Sequence, residues 1–135
     1  MKLFITSTDT NIGKTVVSSI VCKALSYSYW KPVQSGDLHD TDSHKIARFS
    51  PSTFIYSETY SLTQPLSPHE SANRDGIRIN LKNFQLPANE NIVIEGAGGV
   101  LVPLNESGDM VIDIATIFNC SLLLVVKNYL GSINH

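Results

Sequence analysis

Cysteine is scarce in this chain: 135 residues hold two, Cys22 and Cys120, far apart. They form no CxxC pair and have no histidine at metal-ligand spacing. That excludes a disulfide scaffold and a thiolate zinc site, and both read as reduced, semi-buried thiols. The four histidines, His39, His44, His69 and His135, show no metal spacing either and read as ordinary polar residues. Charge of one sign is also lacking. Charged residues are 16% of the chain and the formal net charge is −2, which leaves no basic patch for a nucleic acid. Long apolar runs are absent too. The longest, Leu122 to Val126, is five residues, far short of a membrane span. The N-terminus runs straight into strand-like sequence and has no room for a signal-peptide core, so a cytoplasmic location is expected. There is no internal repeat and no low-complexity tract.

What is present suits a globular core. Hydrophobic residues make up 42% of the chain, and its length fits one domain, residues 1–135. Lys2 to Thr6 predicts a strand. A helix is expected from Lys14 to about Tyr27, with Val16, Val17, Ile20, Val21, Ala24 and Leu25 as its apolar stripe. Tyr29 to Val33 reads as the end of a second strand, stopped by Pro32 and Gly36. Asn91 to Glu95 predicts a buried strand, Asp109 to Phe118 an amphipathic helix, and Ser121 to Val126 another buried strand, continuously apolar as parallel strands are. Residues 50–90, with Pro51, Pro65, Pro68 and Pro87, are expected to be mostly irregular, with a helix near His69–Asn73. Strands alternating with helices predict an α/β doubly wound, mainly parallel sheet. After the last strand, Gly131-Ser132 reads as a helix start with Ser132 as its cap, but no helix body follows. The sequence is therefore expected to be the N-terminal part of a longer protein, or a naturally shortened one.

The first strand leads into Ser7-Thr8-Asp9-Thr10-Asn11-Ile12-Gly13-Lys14-Thr15. It ends like a phosphate-binding loop, in which backbone N–H groups converge on phosphate oxygens at a helix N-terminus. Lys14 is the cation expected at the β- and γ-phosphates, and Thr15 the hydroxyl expected on Mg²⁺. The usual first glycine of such a loop would fall at position 8, where this chain has Thr8. Lys31, at a strand end, lies on the edge where doubly wound folds bind ligands; alone it reads first as a solvated lysine. Asp42 reads as a metal ligand, a helix cap or a surface acid. Glu95 ends a buried strand, where a carboxylate needs a cation or a full set of hydrogen bonds. The glycines after it permit a ligand to approach the backbone, or merely a tight turn.

Together these pieces resemble dethiobiotin synthetase, whose loop reads G-T-D-T-x-x-G-K-T. Here Ser7 stands where that family has glycine. Further blocks match in the same order: Lys31-Pro-Val-x-Ser35-Gly36, Thr41-Asp42, Pro65-Leu-Ser67-Pro68-His69, Val93-Ile-Glu95-Gly-Ala-Gly-Gly99, Val102-Pro103-Leu104 and Leu130 to His135. The stretch from Lys14 to Lys31 is short for the family, and the family continues for a further third or so of its length. The resemblance implies ATP and Mg²⁺ as cofactors, with 7,8-diaminononanoate and CO₂ as substrates of a ring-closing ligase in biotin biosynthesis. It implies nucleotide contacts from Thr10, Asn11, Ile12, Gly13, Lys14, Thr15, Glu95 and Gly98. It further implies a metal site of Thr15, Asp42 and Glu95, and catalysis by Lys31 and Lys14. Substrate contacts would come from Thr10, Ser35, Gly131, Ser132 and Asn134, the last three across a homodimer interface. Other readings are an amidating synthetase of the cobyrinate type, an inactive nucleotide-binding remnant, and a partitioning-type ATPase. The last carries a lysine where this loop has Asp9.

Overall fold

The computed structural model describes every residue except Asn89, Glu90 and His135, and of Asn134 only the backbone. The elements are β1 (Lys2–Ser7), α1 (Lys14–Leu25), β2 (Ser28–Trp30), β3 (Val33–Ser35), α2 (Asp42–Phe49), β4 (Ile55–Tyr56), β5 (Tyr60–Leu62), α3 (Pro68–Arg74), β6 (Ile92–Glu95), α4 (Val111–Ile117) and β7 (Ser121–Val125). Single 3₁₀ turns occupy Leu81–Asn83 and Ser132–Asn134. Five strands form one parallel sheet in the order β4-β2-β6-β1-β7. From β1 the chain crosses over β6 to reach β2. From β6 it crosses β1 in the other direction to reach β7. The crossovers diverge between β1 and β6, and a doubly wound sheet opens its ligand crevice at the strand ends there.

Alternation along the central strands sorts the core into two layers. Phe4, Trp30, Ile92 and Ile94 face one side, where they meet Val111, Ile114 and Ala115 of α4 and the Leu62–Phe84 region. Leu3, Ile5, Tyr29 and Val93 face the other, against Cys22 of α1 and Ile46 of α2. Each fully buried large aliphatic side chain contributes about 1.5–3 kcal/mol, which makes β1 and β6 the rigid backing for whatever their ends carry.

Several expectations from the sequence change. The second strand is two strands. Pro32 has no N–H and cannot continue a ladder. Its carbonyl instead accepts the N–H groups of Thr59 and Tyr60 at 2.9 and 3.0 Å. The chain then leaves the main sheet, and β3 pairs with β5 in a separate two-stranded parallel sheet. Residues 50–90 thus hold two short strands as well as the expected helix, which spans Pro68–Arg74. Helix α1 stops at Leu25, because Ser26 turns left-handed (φ 55°) and donates its N–H to the Cys22 carbonyl. Its buried face is Lys14, Ser18, Ser19 and Cys22, while Val16, Ile20 and Leu25 are exposed. The expected apolar stripe points largely outward. Strand β7 is likewise not buried: among the described residues it pairs only with β1, and Leu122 and Leu124 are half exposed. The helix expected over Asp109–Phe118 is Val111–Ile117.

Gly36, just past β3, has φ +71° and lies so close to the next segment that an added Cβ would come within 2.6 Å of the Pro65 Cα. Its N–H donates to the Leu62 carbonyl at 2.8 Å. Gly36→Ala would meet both the left-handed penalty and the collision with backbone. It is expected to cost about 2 kcal/mol or more, measured as a lowered midpoint in urea unfolding.

Candidate active site

The loop after β1 turns because two of its residues adopt left-handed backbone, Asn11 (φ 56°) and Gly13 (φ 102°). Gly13 then caps α1, its carbonyl accepting the Val17 N–H at 3.0 Å. A side chain at φ 102° would be strained, so the glycine of Gly-Lys-Thr is a backbone requirement. The loop opens the N-terminus of α1 towards a cavity of about 570 Å³. Lys14 and Thr15, the first residues of α1, both line it. The Lys14 ammonium donates to the Ser7 hydroxyl at 2.8 Å and to the Asp9 carbonyl at 3.3 Å. Burial, with Lys31 nearby, lowers its pKa.

Opposite the loop lies a buried charge cluster. Glu95, the last residue of β6, is fully buried. Its carboxylate accepts three side-chain hydrogen bonds: Thr15 Oγ1 at 2.9 Å, the Tyr29 hydroxyl at 3.0 Å and Lys31 Nζ at 3.3 Å. The cation and hydrogen bonds that the sequence called for at Glu95 are thus supplied in part by Lys31. The Lys31 ammonium, 3% exposed, also reaches Asp42 Oδ2 at 2.6 Å and donates to the Gly96 carbonyl at 3.0 Å. Pro32 ends β2 one residue later, and that places the lysine at the strand end.

Asp42 is the first residue of α2, fixed there by a capping box. The Thr41 hydroxyl accepts the His44 N–H, and His44 Nδ1 accepts the Thr41 N–H, both at 3.2 Å. Of the openings left by the sequence, Asp42 is therefore neither the cap nor a free surface acid. It is a carboxylate held by two lysines, Lys31 and, at 3.2 Å, Lys45.

The titration behaviour follows. Burial pushes the Lys31 pKa down, but Glu95 and Asp42 more than offset it and the net shift is upward. Burial pushes Asp42 up, yet the lysines dominate and bring it down to about 2. Burial and the Glu95 charge raise Tyr29 well above the usual phenol range, so it stays a hydrogen-bond donor. Burial raises the Cys22 thiol to about 12, and Cys120 is also raised; both are free and unreactive in character.

Thr10, Asn11, Gly13, Lys14, Thr15, Lys31, Ser35, Asp42, Glu95 and Gly98 all line the one cavity. Ile12 does not. Gly131 and Ser132 are not brought to it either: they follow edge strand β7. The expected helix there is a single 3₁₀ turn, and the Ser132 N–H donates back to the Tyr129 carbonyl. The side chain of Asn134 lies outside what is described. Sequence reasoning missed Tyr29, Lys45 and Gln34. Gln34 bridges the walls, donating to the Gly36 carbonyl at 2.9 Å and accepting the Asp42 N–H at 3.2 Å. The spacing of Lys45, three residues after Asp42, was a readable signal; nothing local marks Tyr29. Ser35 Oγ is buried beside the cavity with no partner among the described residues, an unmet polar group that a ligand could satisfy.

The Thr15 hydroxyl and the two carboxylates are hard oxygen donors, which suits Mg²⁺. Among the described residues no group of three His, Cys, Asp or Glu could hold an ion by itself. A Mg²⁺ here would complete its shell with water and phosphate oxygens, as Mg²⁺ commonly does.

A family model described as an AAA domain matches residues 1–135. The chain belongs to the AAA-domain family. Within this family's fold, the phosphate loop after β1 and the parallel sheet agree with the sequence expectation. Curated proteins similar to the chain carry the name ATP-dependent dethiobiotin synthetase BioD. The one from Cytophaga hutchinsonii is 50% identical over 138 residues, covering 99% of this chain and 66% of that protein. Those from Christiangramia forsetii and Lawsonia intracellularis are 44% and 43% identical, covering 64% and 66% of their lengths. The chain thus spans just under two thirds of the curated relatives it matches. The resemblance read from the sequence blocks is borne out. Among the described residues, no helix is long and apolar enough to cross a membrane.

The depressed Asp42 pKa carries a stability prediction. Its stabilisation is complete above the ordinary carboxylate range near pH 4 and is lost as pH falls through about 2. Asp42→Asn is expected to cost about 2 kcal/mol at pH 7. The gap to wild type should close as pH falls from about 4 towards 2, in urea titrations run across that range.

Proposed function

We propose that this chain carries the phosphate-loop domain of an ATP-dependent dethiobiotin synthetase, closing a ring on 7,8-diaminononanoate with CO₂ in biotin biosynthesis. The observation that carries the reading is the Lys31–Glu95–Asp42 cluster set across one cavity from the Lys14 loop. The similarity to proteins of that name supports it. In this reading residues 1–135 form one domain, the enzyme is a cytoplasmic homodimer, and Gly131, Ser132 and Asn134 serve the substrate from a subunit interface.

The reaction joins two anions, and the site's cations answer that need. One substrate amine adds to CO₂ and loses a proton, giving a carbamate. The carbamate oxygen attacks the γ-phosphorus of ATP as the bond to the β-phosphate oxygen breaks, and ADP leaves. The second amine then attacks the carbamoyl carbon, phosphate departs, and loss of a proton leaves the cyclic urea. Lys14 binds the β- and γ-phosphates. Lys31 stands between carbamate and γ-phosphate and steadies the transferring group. Ser35 and Thr10 hydrogen-bond the carbamate end, and the Ser35 hydroxyl has no partner among the described residues. Thr10, Asn11, Ile12, Gly13, Glu95 and Gly98 belong to the nucleotide's surroundings. Thr15, Asp42 and Glu95 would hold Mg²⁺, which when bound neutralises phosphate charge.

The reaction is tested by mass spectrometry for dethiobiotin, with diaminononanoate, bicarbonate, ATP and Mg²⁺ supplied to a chain of the relatives' full length and to residues 1–135. Product from the full-length chain is expected. Its absence there would overturn the reading. Lys31→Ala should remove most turnover while ATP affinity stays within about threefold of wild type. Turnover near wild type would remove Lys31 from its role. For Asp42→Asn, lost activity should recover in part at raised Mg²⁺. An unchanged Mg²⁺ dependence would count against a metal ligand at this position.

A further inference from the structure

Ser7 occupies a position where the resembling family has glycine, yet nothing in its backbone calls for glycine. It is the last residue of β1, paired with Val125, and it is not among the residues with positive φ. It is fully buried and does not line the cavity. Its hydroxyl nonetheless meets three groups. It donates to the Asp9 carbonyl at 2.6 Å, with the Gly98 carbonyl a second acceptor at 3.2 Å, and it accepts an N–H from the Lys14 ammonium at 2.8 Å. Lys14 closes a ring by donating to the same Asp9 carbonyl at 3.3 Å.

We infer that the Ser7 hydroxyl is a positioning group that presets the Lys14 ammonium for a polyphosphate anion. The inference rests on the phosphate-loop reading of the site and adds a residue to it. An ammonium has three N–H groups. Two are held by Ser7 and Asp9, behind the cavity surface that Lys14 itself lines. The third has no acceptor among the described residues and is left for an incoming phosphate oxygen. A lysine side chain loses much rotamer freedom when fixed. Here that loss is met before the anion arrives, which is what preorganisation means for affinity. The same hydroxyl ties the Asp9 and Gly98 carbonyls together, so the loop and the segment after β6 keep their spacing around the lysine. Glycine or alanine at position 7 would leave the ammonium one acceptor.

Ser7→Ala, Ser7→Gly and Ser7→Thr test this, with calorimetric titrations of MgATP and, separately, of inorganic pyrophosphate. Loss of a hydrogen bond to a charged group predicts about tenfold weaker binding of both ligands by the alanine and glycine variants. Threonine should restore affinity to within about threefold. A ligand-free readout stands beside it. The Lys14 ammonium, followed by ¹⁵N NMR at low temperature, should exchange its protons slowly in wild type and Ser7→Thr and fast in Ser7→Ala. Equal or tighter binding by Ser7→Ala overturns the inference and leaves the phosphate loop standing. So does weaker binding that threonine fails to rescue, or unchanged proton exchange. A wild-type chain that binds neither MgATP nor pyrophosphate overturns the phosphate-loop reading and this inference with it.

Discussion

The structure is organised around one buried carboxylate. Glu95 sits at the end of a central strand with no exposed surface, and a lone ion there would be prohibitively costly. It is tolerable because helix α1, strand β2 and the residue following β2 each supply one donor, through Thr15, Tyr29 and Lys31. The same lysine then reaches Asp42 and anchors the start of α2. Four elements are therefore registered on a single charge. A buried ion pair of this kind adds little to stability compared with an apolar replacement, but removing one partner is expensive. Its value lies in fixing where the phosphate loop, the lysine and the second carboxylate stand relative to one another.

Much of this was legible in the sequence. A strand, a Gly-Lys-Thr loop and a helical period gave the first βα unit, and unbroken apolar runs marked β1 and β6. Lys14, Thr15, Lys31 and Glu95 could be picked out because each lies at or beside a strand end or a helix start, where a doubly wound sheet collects its ligands; Asn11, Ile12, Gly98 and the substrate contacts came only from the family resemblance. Tyr29 was not legible: it looks like any core aromatic until the strand pairing puts its hydroxyl beside Glu95. Pro32 was legible as a stop, but the restart of the chain as β3 in a separate sheet was not, because it depends on the Thr59 and Tyr60 N–H groups and on β5 arriving from far along the chain.

Two periodicity arguments misled for a shared reason. In α1 the valines and isoleucines follow a helical stripe, yet the helix is turned by its first residues. Lys14 and Thr15 must face the cavity and Glu95, so Ser18 and Cys22 fall on the inner face instead. In β7 an apolar run signalled burial, but burial depends on neighbours, and among the described residues this strand pairs with β1 alone. Local pattern reports what a segment can bury. The site and the topology decide what it does bury.

The close approach of Gly36 to Pro65 bears on how such a site can change over time. Pro65 lines the cavity and Gly36 lies between two residues that do, Ser35 and Asp37, and the spacing of the pair is set by main chain rather than by side-chain size. The width of the cleft at this point is therefore insulated from substitution around it. Selection can then act on the chemistry of the lining while the frame is inherited unchanged.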